Sequence, residues 1–202
     1  MVALTHRRFN DMFTFLVLVG AVYVLATPFI PKLTWILKRK HNIAPYSGNL
    51  AKQLGPNDSP QSAPPKDNRI VIPSADVNLA ITEGMDVSVV DTGGSLKKNL
   101  WVSSPSEVGN TIIIAHRFSY QNPTGGFYYL DKVQIGDKLA VYWQGVELVY
   151  RVDQIKVVPN TAIDIEYNTP DRTLTLYTCT PIFSSDKRLV VIAKPYIAGV
   201  DK

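Results

Sequence analysis

Three side chains in this chain could together attack a carbonyl. Cys179 is the sole thiol in 202 residues. A thiolate nucleophile needs a group that exchanges protons with it or with the leaving group, and a donor where oxyanion charge develops. His116 is the one histidine of residues 69–202, because His6 and His41 lie nearer the N-terminus. Arg188 stands nine residues after the cysteine and offers a planar donor fork that stays charged. Taken singly, each has a dull explanation. A lone cysteine is most often a small buried hydrophobe, a lone histidine is usually hydrogen-bonded or on the surface, and an arginine at a strand start is ordinarily solvated.

The elements that carry them link the three. From Arg69 onward the chain breaks into short β-branched and aromatic runs: RIVIP (69–73), VNLAI (77–81), TIIIA (111–115), KLAVYW (138–143), ELVYRVDQIKVV (147–158), TLTLYT (173–178) and RLVVIA (188–193). Gly93-Gly94, Gly125-Gly126, Gly136-Asp137 and Gln144-Gly145 punctuate them. The pattern predicts an all-β, mainly antiparallel domain of seven or eight strands, closed or nearly so. GGFYYLDKV (125–133), with Phe127, Leu130 and Val133 on one side, predicts one or two short helical turns. Cys179 ends one run just before Thr180-Pro181, His116 ends another, and Arg188 opens a third. Neighbouring strands would bring these ends together.

Composition excludes other chemistries. One cysteine rules out an intrachain disulfide framework, and a Cys/His zinc site would lack ligands. Asp164 and Glu166 are too few carboxylates for a calcium site, so neither metal nor cofactor is expected. The net charge of +4 is unevenly placed: up to residue 66, eight Lys and Arg face only Asp11 and Asp58, whereas residues 67–202 are slightly acidic. A basic balance confined to one end suits a membrane surface, and the acidic remainder gives no footprint for nucleic acid.

Met12 to Ile30 contains no charged side chain. At about 1.5 Å per residue it nearly spans a hydrocarbon core of about 30 Å, so a transmembrane helix is expected over 12–31. Trp35 and Lys38-Arg39-Lys40 are expected interfacial anchors. A cleaved signal peptide is the alternative, but the apolar run exceeds the usual signal length. Flanking charge alone would place the C-terminal domain in the cytoplasm. Residues 41–69, with Pro45, Pro56, Pro60, Pro64 and Pro65, suggest an extended tether. The expected organisation is a basic segment (1–11), a membrane helix (12–31), a juxtamembrane stretch and Pro-rich linker (32–68), and a globular domain (69–202).

Thr175-Leu176-Tyr177-Thr178-Cys179-Thr180-Pro181 resembles the Thr-Leu-x-Thr-Cys signature of sortases, and Arg188-Leu189-Val190-Val191 is similar to the strand bearing the sortase arginine. Gly109-Asn110-Thr111-Ile112-Ile113-Ile114-Ala115-His116-Arg117 resembles the family's histidine segment. Phe127 to Val133 with Gly136-Asp137 resembles its conserved helix and turn. The likeness covers about residues 69–195, in the right order.

The resemblance implies an eight-stranded sortase β-barrel and a cysteine transpeptidase acting on surface proteins or pilins with a Leu-Pro-x-Thr-Gly-like C-terminal signal. Cys179 would be the nucleophile, His116 the general acid and base, and Arg188 the donor to the oxyanion. The acceptor would be an amine of a cell-wall precursor or a pilin lysine. The resemblance also implies a single-pass membrane protein with its catalytic domain on the extracellular face. Thr178 and Ala115 are expected beside the substrate, and Ala162, Ile163 and Ile165 of the 159–172 segment against the signal's Leu-Pro. No Asp-Pro-aromatic lid precedes the domain, and residues 159–172 are too few for the extra helix of class B. The subclass expected is therefore A, D, E or F. A protease hydrolysing the same signal and a non-catalytic, tethered peptide-binding module are the competing readings.

Overall fold

The computed structural model describes residues 2–26, 65–91, 94–98, 103–119 and 126–197. Two compact units contain them, Met1–Asn42 and Ile43–Lys202. The first holds helix α1 (Val2–Ala26), whose large apolar side chains from Met12 to Leu25 are half or more exposed. Among the described residues no helix is long and apolar enough to cross a membrane. The charge-free stretch begins at Met12, so α1 carries it for about 22 Å, short of the roughly 30 Å of a hydrocarbon core. Residues 27–31 of the expected span, and the linker up to residue 64, lie outside the described residues.

In the second unit eight strands form: β1 (Arg69–Ile72), β2 (Val77–Gly84), β3 (Ser95–Lys98), β4 (Asn110–Ile114), β5 (Lys138–Trp143), β6 (Val146–Pro159), β7 (Thr173–Thr180) and β8 (Lys187–Pro195). They close into a barrel in the order β1-β2-β3-β4-β7-β8-β6-β5. Pairing is antiparallel except between β2 and β3 and between β4 and β7. Closure leaves no unpaired edge.

Strand alternation sorts the side chains. Ile70, Ile72, Leu139, Val141, Ile113, Leu174, Leu176, Val191 and Ala193 share one face by register and are all fully buried, which marks the barrel interior. Tyr150 belongs to the same set. Its hydroxyl donates to Pro105 O at 2.8 Å, and burial pushes its phenol up to about 12. On the opposite face Val71, Ala140, Tyr142 and Val149 form a second apolar cluster, with Tyr196 packed against it.

The helical turn expected within 125–133 forms as the 3₁₀ turn Leu130–Lys132, and among the described residues of this domain three more 3₁₀ turns form that the sequence does not mark, Pro73–Ala75, Val87–Val90 and Ile163–Glu166. Each is four residues or fewer, too short for the i to i−4 bonds of an α-helix, and closes with the tighter i to i−3 bond instead. β3, which none of the apolar runs marks, is the second departure. Its sequence, SLKK, is polar because Lys97 points inward at 3% exposure, where it pairs with Glu83 Oε1 at 2.9 Å and lies 5.7 Å from the Trp143 ring centroid.

Candidate active site

Cys179 and Arg188 face each other across the antiparallel ladder of β7 and β8. β7 ends one residue later because Pro181 has no N–H to continue it. By alternation Thr175, Tyr177 and Cys179 point away from the interior set of Leu174, Leu176 and Thr178, so the thiol stands on the outer wall. Arg188 Nη1 lies 3.5 Å from Cys179 Sγ and donates to the carbonyls of Ser185 at 2.8 Å and Lys187 at 3.2 Å. Those two bonds hold the guanidinium beside the sulfur.

His116 reaches the same place through β4, which runs parallel to β7 with Ile114 opposite Tyr177. Thr178 Oγ1 donates to Ala115 O at 2.9 Å, extending the contact one residue past the ladder. Counting on along both chains brings His116 level with Cys179. A second constraint comes from Phe127, whose N–H donates to His116 O at 2.8 Å. Gly126 permits that approach: it has φ of +63°, and a Cβ there would sit 2.5 Å from His116 O. The structure thus brings together Cys179, His116 and Arg188, with the bond from the Thr178 hydroxyl to the Ala115 carbonyl linking two of their strands.

Residues 116–118, Cys179 and residues 183–185 line one open pocket of about 250 Å³. Phe118 and Phe183 meet edge to face across it, with centroids 4.7 Å apart. Arg117, only 7% exposed, braces the wall: Nε donates to Tyr128 O at 2.9 Å, Nη2 pairs with Asp131 at 3.1 Å, and Nη1 reaches Thr180 Oγ1 at 3.4 Å. The chain therefore ties the residue after the histidine to the residue after the cysteine. Among the described residues no group of three His, Cys, Asp or Glu side chains could hold a metal ion.

The 159–172 segment does not line this pocket. Ala162 is half-buried, Ile163 exposed and Ile165 buried, so of the three only Ile163 is fully open to solvent. Asn110 anchors the segment. Its Nδ2 donates to the carbonyls of Ile165 (3.2 Å) and Tyr167 (3.0 Å), its Oδ1 accepts from Thr175 Oγ1 (2.7 Å), and its N–H donates to Asn168 Oδ1 (2.9 Å). Gly109 makes room, because a Cβ there would come within 2.4 Å of Asn168 Oδ1. Between those two carbonyls in sequence, Glu166 Oε1 accepts from the Tyr177 hydroxyl. Burial, and then that carboxylate, push the Tyr177 phenol well above its ordinary value, so it remains a donor. Because the Asn110 amide is buried and fully satisfied, Asn110→Asp should cost the barrel about 3 kcal/mol and Asn110→Ala about 2 kcal/mol. The aspartate turns a double donor toward two carbonyl oxygens into an acceptor. Urea denaturation measures both, and wild-type stability in the aspartate variant would rule out this anchoring role.

Asp91, Asn110, Arg117 and the Phe118–Phe183 pair are the residues that the spacing argument did not single out as site residues. Asn110 and Arg117 stand within the histidine segment itself, two residues that a buried-polar reading of that segment could have flagged. Nothing local marks Asp91 or Phe183.

A family model for the sortase domain matches residues 70–196. The chain belongs to the sortase family. This sortase is 30% identical over 137 residues to sortase SrtE1 of Streptomyces coelicolor, a match covering 61% of the chain and 38% of that protein. It is 28% identical over 127 residues to sortase A of Listeria monocytogenes, covering 62% and 54%. The chain therefore spans well under two thirds of the length of these relatives. Among solved structures, a Group B Streptococcus pilus island 1 sortase C2 superposes with TM-score 0.59 at 28% identity, covering 64% of this chain and 73% of that one. A Clostridium perfringens sortase D5 transpeptidase superposes with TM-score 0.57 at 26% identity, covering 65% and 79%. The eight-stranded barrel expected from the sequence is the sortase fold.

Proposed function

We propose that this sortase is a transpeptidase that cleaves a Leu-Pro-x-Thr-Gly-like signal between Thr and Gly and joins the acyl half to an amine. The observation that supports this reading best is the 3.5 Å approach of Arg188 Nη1 to Cys179 Sγ at the rim of a pocket that also holds His116. In the first half-reaction Cys179 Sγ bonds to the Thr carbonyl carbon, charge develops on the carbonyl oxygen, and Arg188 donates to it. The C–N bond to Gly then breaks, and His116 protonates the departing amine. In the second half-reaction the acceptor amine attacks the thioacyl carbon, His116 takes its proton, and the C–S bond breaks.

The acyl half of the signal lies along the 159–172 segment, where Asn110 holds the backbone and Tyr177 the Glu166 carboxylate in place before substrate arrives. Preorganisation of this kind lowers the ordering cost of binding. The acceptor is an amine of a cell-wall precursor or a pilin lysine, and the donors are surface proteins or pilins. The exposed apolar surface of α1, with the charge-free sequence that runs on to Ile30, anchors the chain in the cell membrane with the barrel on the extracellular face. The subclass reading, A, D, E or F, rests on the shortness of the 159–172 segment, too few residues for the extra helix of class B, and on the lack of an Asp-Pro-aromatic segment before the barrel in this sequence.

Incubating the full chain with a Leu-Pro-x-Thr-Gly peptide and following intact mass tests the reaction. The expected adduct equals the peptide's acyl half bound to the enzyme. Adding an amine such as triglycine should convert it to an aminolysis product. Release of acid alone, whatever the amine concentration, would replace transpeptidase with hydrolase.

A further inference from the structure

His116 has one partner that the sortase motifs do not name. Asp91 Oδ1 lies 2.7 Å from His116 Nε2, with the two side chains 64% and 39% exposed. The aspartate comes from the connection between β2 and β3, at the end of the 3₁₀ turn Val87–Val90. Its placement is not loose. Asp86 caps the turn by accepting from Ser88 N at 2.9 Å, the Asp91 N–H closes it onto Ser88 O at 3.0 Å, and Val90 is buried beneath it. A carboxylate only accepts hydrogen bonds, so the imidazole nitrogen facing it must carry a hydrogen.

We propose that Asp91 is a positioning residue for His116: its carboxylate takes the Nε2 hydrogen, fixes the ring plane, and leaves Nδ1 as the nitrogen that exchanges protons with the amine. The inference rests on the transpeptidase reading above. In thioacylation the S–C bond forms, the C–N bond breaks, and the proton on Nδ1 goes to the leaving amine. In aminolysis the new C–N bond forms, the C–S bond breaks, and the amine's proton returns to Nδ1. Nε2–H stays with Asp91 throughout. Without that bond the ring turns about its χ angles, and Nδ1 is aimed at the scissile nitrogen for a smaller share of the time.

The defect should therefore appear only where a leaving group needs a proton. Two substrates with the same acyl half separate this role from a structural one: the peptide amide, and an ester with nitrophenolate as leaving group, which departs unprotonated. On the amide, Asp91→Ala should lower kcat about tenfold with KM unchanged. The drop is smaller than the 10²–10⁴ of losing a general acid outright, because water partly replaces an exposed hydrogen bond. Asp91→Asn, whose Oδ1 still accepts, should stay within about threefold of wild type. On the ester all three proteins should acylate at the same rate. An unchanged kcat on the amide in Asp91→Ala, or an equal loss on both substrates, would overturn the assignment. Failure of the wild type to acylate with either substrate would instead remove the transpeptidase reading on which it stands.

Discussion

Replacing Cys179 with alanine should abolish adduct formation and lower transpeptidation by more than about 10³-fold, since loss of a nucleophile removes the covalent route altogether. The same substitution should leave peptide binding nearly intact, because the thiol sits on the outer wall and is only partly buried. Equilibrium binding of a fluorescent signal peptide, measured beside turnover, separates the two effects. Retained turnover in the alanine variant would mean that the chemistry lies elsewhere. Lost binding with a folded barrel would mean that Cys179 shapes the groove rather than reacting in it.

Arg188 provides the second large effect. Its Nη1 donates to the carbonyls of Ser185, before β8, and Lys187, at the start of β8, and lies against the sulfur, so one planar group serves both the barrel wall and the reaction. Arg188→Ala should lower kcat/KM about 10²–10³-fold, the usual consequence of removing an oxyanion donor. Arg188→Lys separates charge from geometry. An ammonium seated on the two carbonyls in place of Nη1 has no second, coplanar nitrogen to present to the substrate, so lysine should recover less than about tenfold of the loss. If lysine restores wild-type kcat/KM, the residue acts as a point charge and the fork is incidental.

Much of this arrangement can be read from the chain before any coordinates, and the residues show why. TLTLYT alternates and RLVVIA is a short, β-branched apolar run, so both strands are legible, with Cys179 and Arg188 at their ends. TIIIA likewise announces β4 and puts His116 just beyond it. β3 is invisible for a physical reason: a lysine normally marks solvent, and only the fold brings Glu83 and Trp143 to the one side chain that would otherwise argue against a strand. Asp91 is hidden differently. Its contact with His116 joins residues 25 apart through a connection with no apolar period, so no local signal could pair them. Among the residues of the 159–172 segment, burial of Ile165 beside exposed Ile163 depends on the bonds from Asn110, some 55 residues earlier. Spacing within the segment carries no trace of it.

The parallel pairing of β4 with β7 has a consequence for how such an enzyme can vary. Cys179 and His116 are written far apart, yet their distance in space is set by ladder register, by the Thr178–Ala115 bond and by the Arg117–Thr180 contact. Between them the chain runs through β5 and β6, on the far side of β8, and the connections around those strands lie outside the β4–β7 ladder. Residues can be added in the connections of that stretch, lengthening the groove or giving it a new wall, without moving the thiol relative to the imidazole. A single residue added within β4 or β7 is another matter. It would slide one reactive group by about 3.3 Å and turn its side chain to the opposite face of the sheet. Substrate choice and reactivity are thereby free to diversify separately, the first by loop length and the second hardly at all.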